Sequence, residues 1–94
     1  MNDTDKFREE FNIGAKAYNT GDYKTAFKKF EHLAEKGLAP AQNNLAQMYR
    51  YGQGVTQNYK EALKWYRLAA EQGNASAQNS LGVMYENGAG VTKD

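Results

Sequence analysis

Ninety-four residues suffice for one small domain with a modest core. Twelve basic and eleven acidic side chains leave a formal net charge of +1, so neither nucleic acid nor an anionic membrane is indicated as the main partner. The absence of cysteine excludes a disulfide framework, a thiolate metal site and a catalytic thiol, and it fits a reducing compartment. No apolar stretch approaches the ~20 residues that span a bilayer, and Met1-Asn2-Asp3-Thr4-Asp5-Lys6 lacks the apolar segment of a signal peptide. A cytoplasmic location is therefore expected, or a periplasmic or secreted one if a signal has been removed.

In chain order, the spacing of apolar residues predicts five helices, at about 4–19, 22–36, 40–51, 58–72 and 76–87. The first carries Phe11, Gly14, Ala15 and Tyr18, and Gly21 punctuates its end. Asp22 is a candidate N-cap for the second, whose Tyr23, Ala26, Phe27, Phe30, Leu33 and Ala34 recur at helical spacing. Gly37 suits the left-handed position beyond that helix, and Pro40 suits the first turn of the third. In the third helix Leu45, Ala46 and Tyr49 are expected to face the core, before the turn at Gly52 and Gly54. Asn58 is a candidate N-cap for the fourth, with Glu61 placed to complete a capping box. Tyr59, Ala62, Leu63, Tyr66, Ala69 and Ala70 form its apolar stripe, and Gly73 follows. The fifth runs from about Ser76 to Asn87, ahead of Gly88 and Gly90.

These elements repeat at an offset of 36 residues. Ala41-Gln42-Asn43-Asn44-Leu45-Ala46-Gln47-Met48-Tyr49 returns as Ala77-Gln78-Asn79-Ser80-Leu81-Gly82-Val83-Met84-Tyr85. Gly52-Gln53-Gly54-Val55-Thr56 returns as Gly88-Ala89-Gly90-Val91-Thr92. Repetition at such a period marks a stacked array in which each unit buries its apolar face against its neighbours. The expected fold is all-α, a superhelix of antiparallel helix pairs with an incomplete last repeat. One repeat domain is expected over residues 1–94, with units at about 5–40, 41–76 and 77–94, the last of them partial.

The run Leu45-Ala46-x-Met48-Tyr49-x-x-Gly52-x-Gly54-Val55-x-x-Asn58, followed by Ala62-x-x-Trp65-Tyr66-x-x-Ala69-Ala70-x-Gln72-Gly73, resembles the Sel-1-like repeat. Residues 77–94 match the first half of another unit through Ala77, Leu81-Gly82, Met84-Tyr85, Gly88, Gly90-Val91 and Asp94. The first unit departs from the pattern. Gly21 precedes Tyr23 by two residues where Gly52 precedes Tyr59 by seven, so its inter-helix loop is shorter and lacks Gly-x-Gly-Val. That unit resembles a plain tetratricopeptide repeat. The resemblance implies a right-handed superhelix serving as an adaptor or scaffold for other proteins. The family members attributed enzymatic activity are rich in disulfides, and this chain, with no cysteine, is expected to be neither an enzyme nor a cofactor binder.

Side chains with catalytic potential are scarce. His32 is the sole histidine; as an enzyme of hydrolase type the chain would need it in a pocket beside Glu31 or Glu35. Against that stands a partly buried helix residue with no second ligand, and no metal site is expected. Ser76 and Ser80 lie in no nucleophile elbow. Gly52-x-Gly54 and Gly88-x-Gly90 lack the preceding strand and further glycines of a phosphate loop, so they are expected to be turns. Tyr18, Tyr49 and Tyr85, and likewise Phe30 and Tyr66, recur at repeat positions, and these rings together with Trp65 are expected to be mostly core. Lys24, Lys28 and Lys29 are expected on a solvated outer face.

The first helix of each unit is expected to line a concave groove. The stripes opposite the core positions are Asn12, Lys16 and Asn19; Asn43, Gln47 and Arg50; and Asn79, Val83 and Glu86. Amides both donate and accept, and can clamp a peptide backbone without dictating its side chains. The expected function is binding of an extended peptide or protein partner in this groove. The alternative is a structural oligomerisation unit acting through the open C-terminal end, where Leu81, Met84 and Tyr85 would have one neighbour, and where a charge at Met84 would suppress dimerisation.

Overall fold

Local chemistry sets each helix end. The computed structural model describes residues 2–89, with α1 at Asp3–Asn19, α2 at Tyr23–Glu35, α3 at Ala39–Tyr51, α4 at Tyr59–Glu71 and α5 at Ala75–Asn87. Asn2, Asp22, Asn58 and Asn74 cap α1, α2, α4 and α5 by accepting from a backbone N–H three residues on. The cap of α3 is Leu38, which offers no side-chain oxygen, and Pro40 lies in the first turn instead. The expected capping box at Asn58 forms only in half. Its side chain accepts from the Glu61 N–H, but its own N–H donates to the Tyr49 carbonyl at 2.8 Å rather than to the Glu61 carboxylate. Closing the α3–α4 loop uses that donor first.

Each helix packs on the next, giving antiparallel pairs in an elongated stack of 47 × 26 × 17 Å. Among the described residues there is no strand and no helix long and apolar enough to cross a membrane. The core runs along the stack through Phe30, Leu33, Leu45, Met48, Tyr66 and Met84, all fully buried. Each such side chain contributes about 1.5–3 kcal/mol by leaving water. Small residues set the spacing between helices. Gly14 sits mid-helix because a Cβ there would lie 2.9 Å from the ring of Phe30, so α1 can approach α2 only without one.

Glutamines tie one repeat to the next. The Gln42 amide donates to the Ala34 carbonyl in the last turn of α2, where backbone acceptors lack intrahelical partners. Gln42 Oε1 in turn accepts from Gln72, whose amide also reaches the Gly37 carbonyl. One repeat later Gln78 donates to Ala70 in the same way. The α3–α4 loop docks just as specifically. Gly54, at φ +72°, passes 2.7 Å from the Tyr23 carbonyl oxygen measured from where a Cβ would stand. Gln53 Oε1 accepts from the Tyr18 hydroxyl at 2.9 Å, fastening the loop to α1. The Gly-x-Gly element is a turn shaped by close packing; its second copy at Gly90 lies outside the described residues.

Candidate functional site

A half-enclosed cavity of about 190 Å³ opens between α1 and α3. Its lining is Ala15, Tyr18 and Asn19 from α1, Asn44 and Gln47 from α3, and Phe30 from α2. Helical periodicity brings these together: Ala15, Tyr18 and Asn19 share one face at steps of three and four, as do Asn44 and Gln47. Phe30, 1% exposed, forms an apolar floor beside Ala15. The Tyr18 hydroxyl donates to Gln53 and accepts from Gln47 Nε2 at 3.5 Å, which leaves Gln47 Oε1 free to accept. Asn19 and Asn44 make no side-chain hydrogen bond among the described residues.

Of the nine groove residues expected from the sequence, this cavity collects Asn19 and Gln47. Asn43 and Arg50 lie half-buried on the same helix as Gln47, and Asn43 Oδ1 is buried without a hydrogen-bond partner. The Arg50 guanidinium stacks 5.1 Å from the Tyr51 ring and pairs with no carboxylate among the described residues. Asn12 and Lys16 are exposed on α1; Asn79 and Glu86 are exposed on α5, with Val83 half-buried. Sequence reasoning missed Ala15, Tyr18 and Asn44. The recurrence of Tyr18 marked it as core, whereas its ring is core and its hydroxyl is groove.

The histidine is a partly buried helix residue and does not form the arrangement a hydrolase would need. His32 is half exposed, and its Nδ1 lies 2.6 Å from Glu10 Oε2 on α1. Neither Glu31 nor Glu35 joins it. Glu31, adjacent in sequence, points to a different face, and both carboxylates act on Tyr49. The Tyr49 hydroxyl is held above its ordinary pKa mainly by burial, then by the negative fields of Glu61, Glu31 and Glu35. The surface around His32 is a wide hollow of about 510 Å³ with Lys6, Glu9, Lys28 and Lys29, open to solvent. Lys24 and Lys28 are exposed, as expected of an outer face, whereas Lys29 is half-buried, its Cβ packed against Gly14 of α1.

Phe30, Tyr66 and Trp65 are buried, but Tyr85 is 38% exposed. Met84, by contrast, is fully buried. The two neighbours on α5 therefore face opposite ways, and a charge at Met84 would disrupt the core instead of probing a free surface.

This architecture is that of an all-α repeat solenoid. The Sel1 repeat model matches residues 39–74 and 75–94, more than half of the sequence, and the chain belongs to that family. A protective antigen of uropathogenic Escherichia coli with an SLR fold superposes at TM-score 0.86 and 42% identity, over 94% of this chain and 20% of its own. A Sel1 repeat protein from Oxalobacter formigenes gives TM-score 0.84 and 38% identity, over 94% of this chain and 38% of its own. Among curated proteins, an exopolysaccharide production negative regulator of Rhizobium leguminosarum bv. viciae is 43% identical over 48 residues, 51% of this chain. Its counterpart in Rhizobium meliloti is 41% identical over the same length. The aligned part is 18% of each of these regulators. Sel1 repeats usually mediate protein–protein interaction and are typically non-catalytic scaffolds.

Proposed function

We propose that this chain is an interaction module that holds an extended segment of a partner protein in the groove lined by α1, α3 and α5. The observation that carries this reading is the unspent hydrogen-bonding capacity around the cavity: Asn19, Asn44 and the free Oε1 of Gln47. The relatives named for negative regulation of exopolysaccharide production suit a module that recruits proteins within a larger regulator. The test replaces Asn43, Gln47 and Arg50 together with alanine. Capture of the partner should fall while helical circular dichroism is retained; unchanged capture by the folded variant removes the groove from consideration.

A second reading, self-association, draws on the outer face of α5. Tyr85 is 38% exposed, and Leu81 on the same helix is half-buried. Sedimentation equilibrium should then show a concentration-dependent dimer that Leu81→Glu abolishes; an ideal monomer across the concentration range removes this reading.

A further inference from the structure

The cavity between α1 and α3 has a composition that the repeat does not impose. One unit on, the positions of Asn44 and Gln47 hold Ser80 and Val83, and the position of Phe30 holds Tyr66. Two amides and a phenyl floor thus meet only at the first junction. None of the six lining residues carries a charge at neutral pH. A charged side chain entering this space would lose water without gaining a counter-ion, which is strongly unfavourable. An apolar one would cover Phe30 and Ala15. The volume, about 190 Å³, is of the order of cavities that accept benzene, roughly 150 Å³.

We propose that this cavity seats one apolar side chain of leucine or phenylalanine size, from an extended partner segment whose flanking peptide groups hydrogen-bond to Asn19, Asn44 and Gln47. This rests on the groove reading and narrows it to a sequence requirement. In an extended segment alternate side chains face the same way, so one residue enters while its neighbours turn outward and its own N–H and C=O reach the rim. The Tyr18 hydroxyl acts as a positioning group. It takes up Gln47 Nε2 and is itself held by Gln53, so that Gln47 presents an acceptor to the segment.

The experiment is an amide NMR titration of the whole chain with N-acetyl-leucine N-methylamide, which carries the side chain and both flanking peptide groups. Capped phenylalanine, glycine and lysine are the comparisons. Saturable shifts are expected for leucine and phenylalanine at Ala15, Tyr18, Asn19, Asn44 and Gln47, including the three side-chain amides. Glycine should bind at least about tenfold more weakly, the equivalent of one buried aliphatic side chain, and lysine no better than glycine. Ala15→Leu, which fills the cavity, should abolish the leucine shifts. If that variant does not fold, Asn44→Phe closes the same opening from the rim and should do likewise. Shifts that are absent, lie elsewhere or are equal for glycine and leucine overturn the proposal. Should the triple alanine variant lose its partner while capped leucine fails to bind, this inference falls and the groove reading stands. Should leucine bind while partner capture ignores the groove, the cavity accepts the side chain but the groove reading falls, and the partner segment proposed here falls with it.

Discussion

Gly54 sits where the α3–α4 loop touches α2, and its positive φ and missing Cβ are both required there. Gly54→Ala should cost about 2 kcal/mol or more, from left-handed strain and a backbone clash, lowering Tm by about 8 °C or more. Gly21→Ala, at φ +86° with open space around it, should cost about 1–2 kcal/mol, the strain alone. Urea denaturation of the two variants separates the contributions. The sequence marked both glycines as turns, but only packing tells a crowded glycine from an open one. A second residue-scale effect concerns acid. The Asp22 carboxylate is held below its ordinary pKa by the Thr25 side chain and then by the Thr25 N–H. A depressed folded-state pKa stabilises the fold above the unfolded value, near pH 3.9, and that stability is lost as pH falls through the folded value. Asp22→Asn should therefore narrow the difference in Tm between pH 7 and pH 3, the amide retaining the cap at both.

At the scale of elements, helix seams hold through the glutamine chain from Gln72 through Gln42 to Ala34. Gln42 is 4% exposed, and Gln42→Ala removes its bonds to the Ala34 carbonyl and from Gln72, which should cost about 1 kcal/mol. The Ala34 carbonyl still accepts from the Gly37 N–H. Gln78→Ala removes the same bond at an exposed position and should cost no more than about 0.5 kcal/mol. A double-mutant cycle on Gln42 and Gln72 should return a coupling of about 0.5 kcal/mol or above; additivity within error would show that the two amides act independently. The helices themselves were readable from apolar spacing, with ends displaced by one residue at most positions. Gln42 was not. A polar residue beside Ala41 reads as solvated until the carbonyl at the end of α2 is seen above it.

The whole molecule is a stack in which position along the axis decides stability. Helix α3 is flanked by α2 and α4, whereas α5 packs on α4. In a nearest-neighbour array the end element opens first. Hydrogen exchange should therefore be slowest in α3 and several-fold or more faster in α5, despite the caps at Asn74 and Gly88. Equal protection of the two helices would show that α5 is covered in solution, in favour of self-association. The Arg67 guanidinium, which donates to the Tyr85 hydroxyl, secures one edge of α5 without burying its outer face.

By itself the sequence determined the helices, their pairing into repeats and the family, because these rest on periodicity and on glycines at fixed offsets, which are local properties. Of the stripe expected opposite the core, the cavity takes in only Asn19 and Gln47. The cavity between α1 and α3, the partnership of His32 with Glu10 and the division of labour between Met84 and Tyr85 were decided only by the tertiary structure. Each depends on how far apart and at what angle two helices sit. That spacing is set by residues such as Gly14 against Phe30, whose contact spans elements and leaves no periodic trace in the chain.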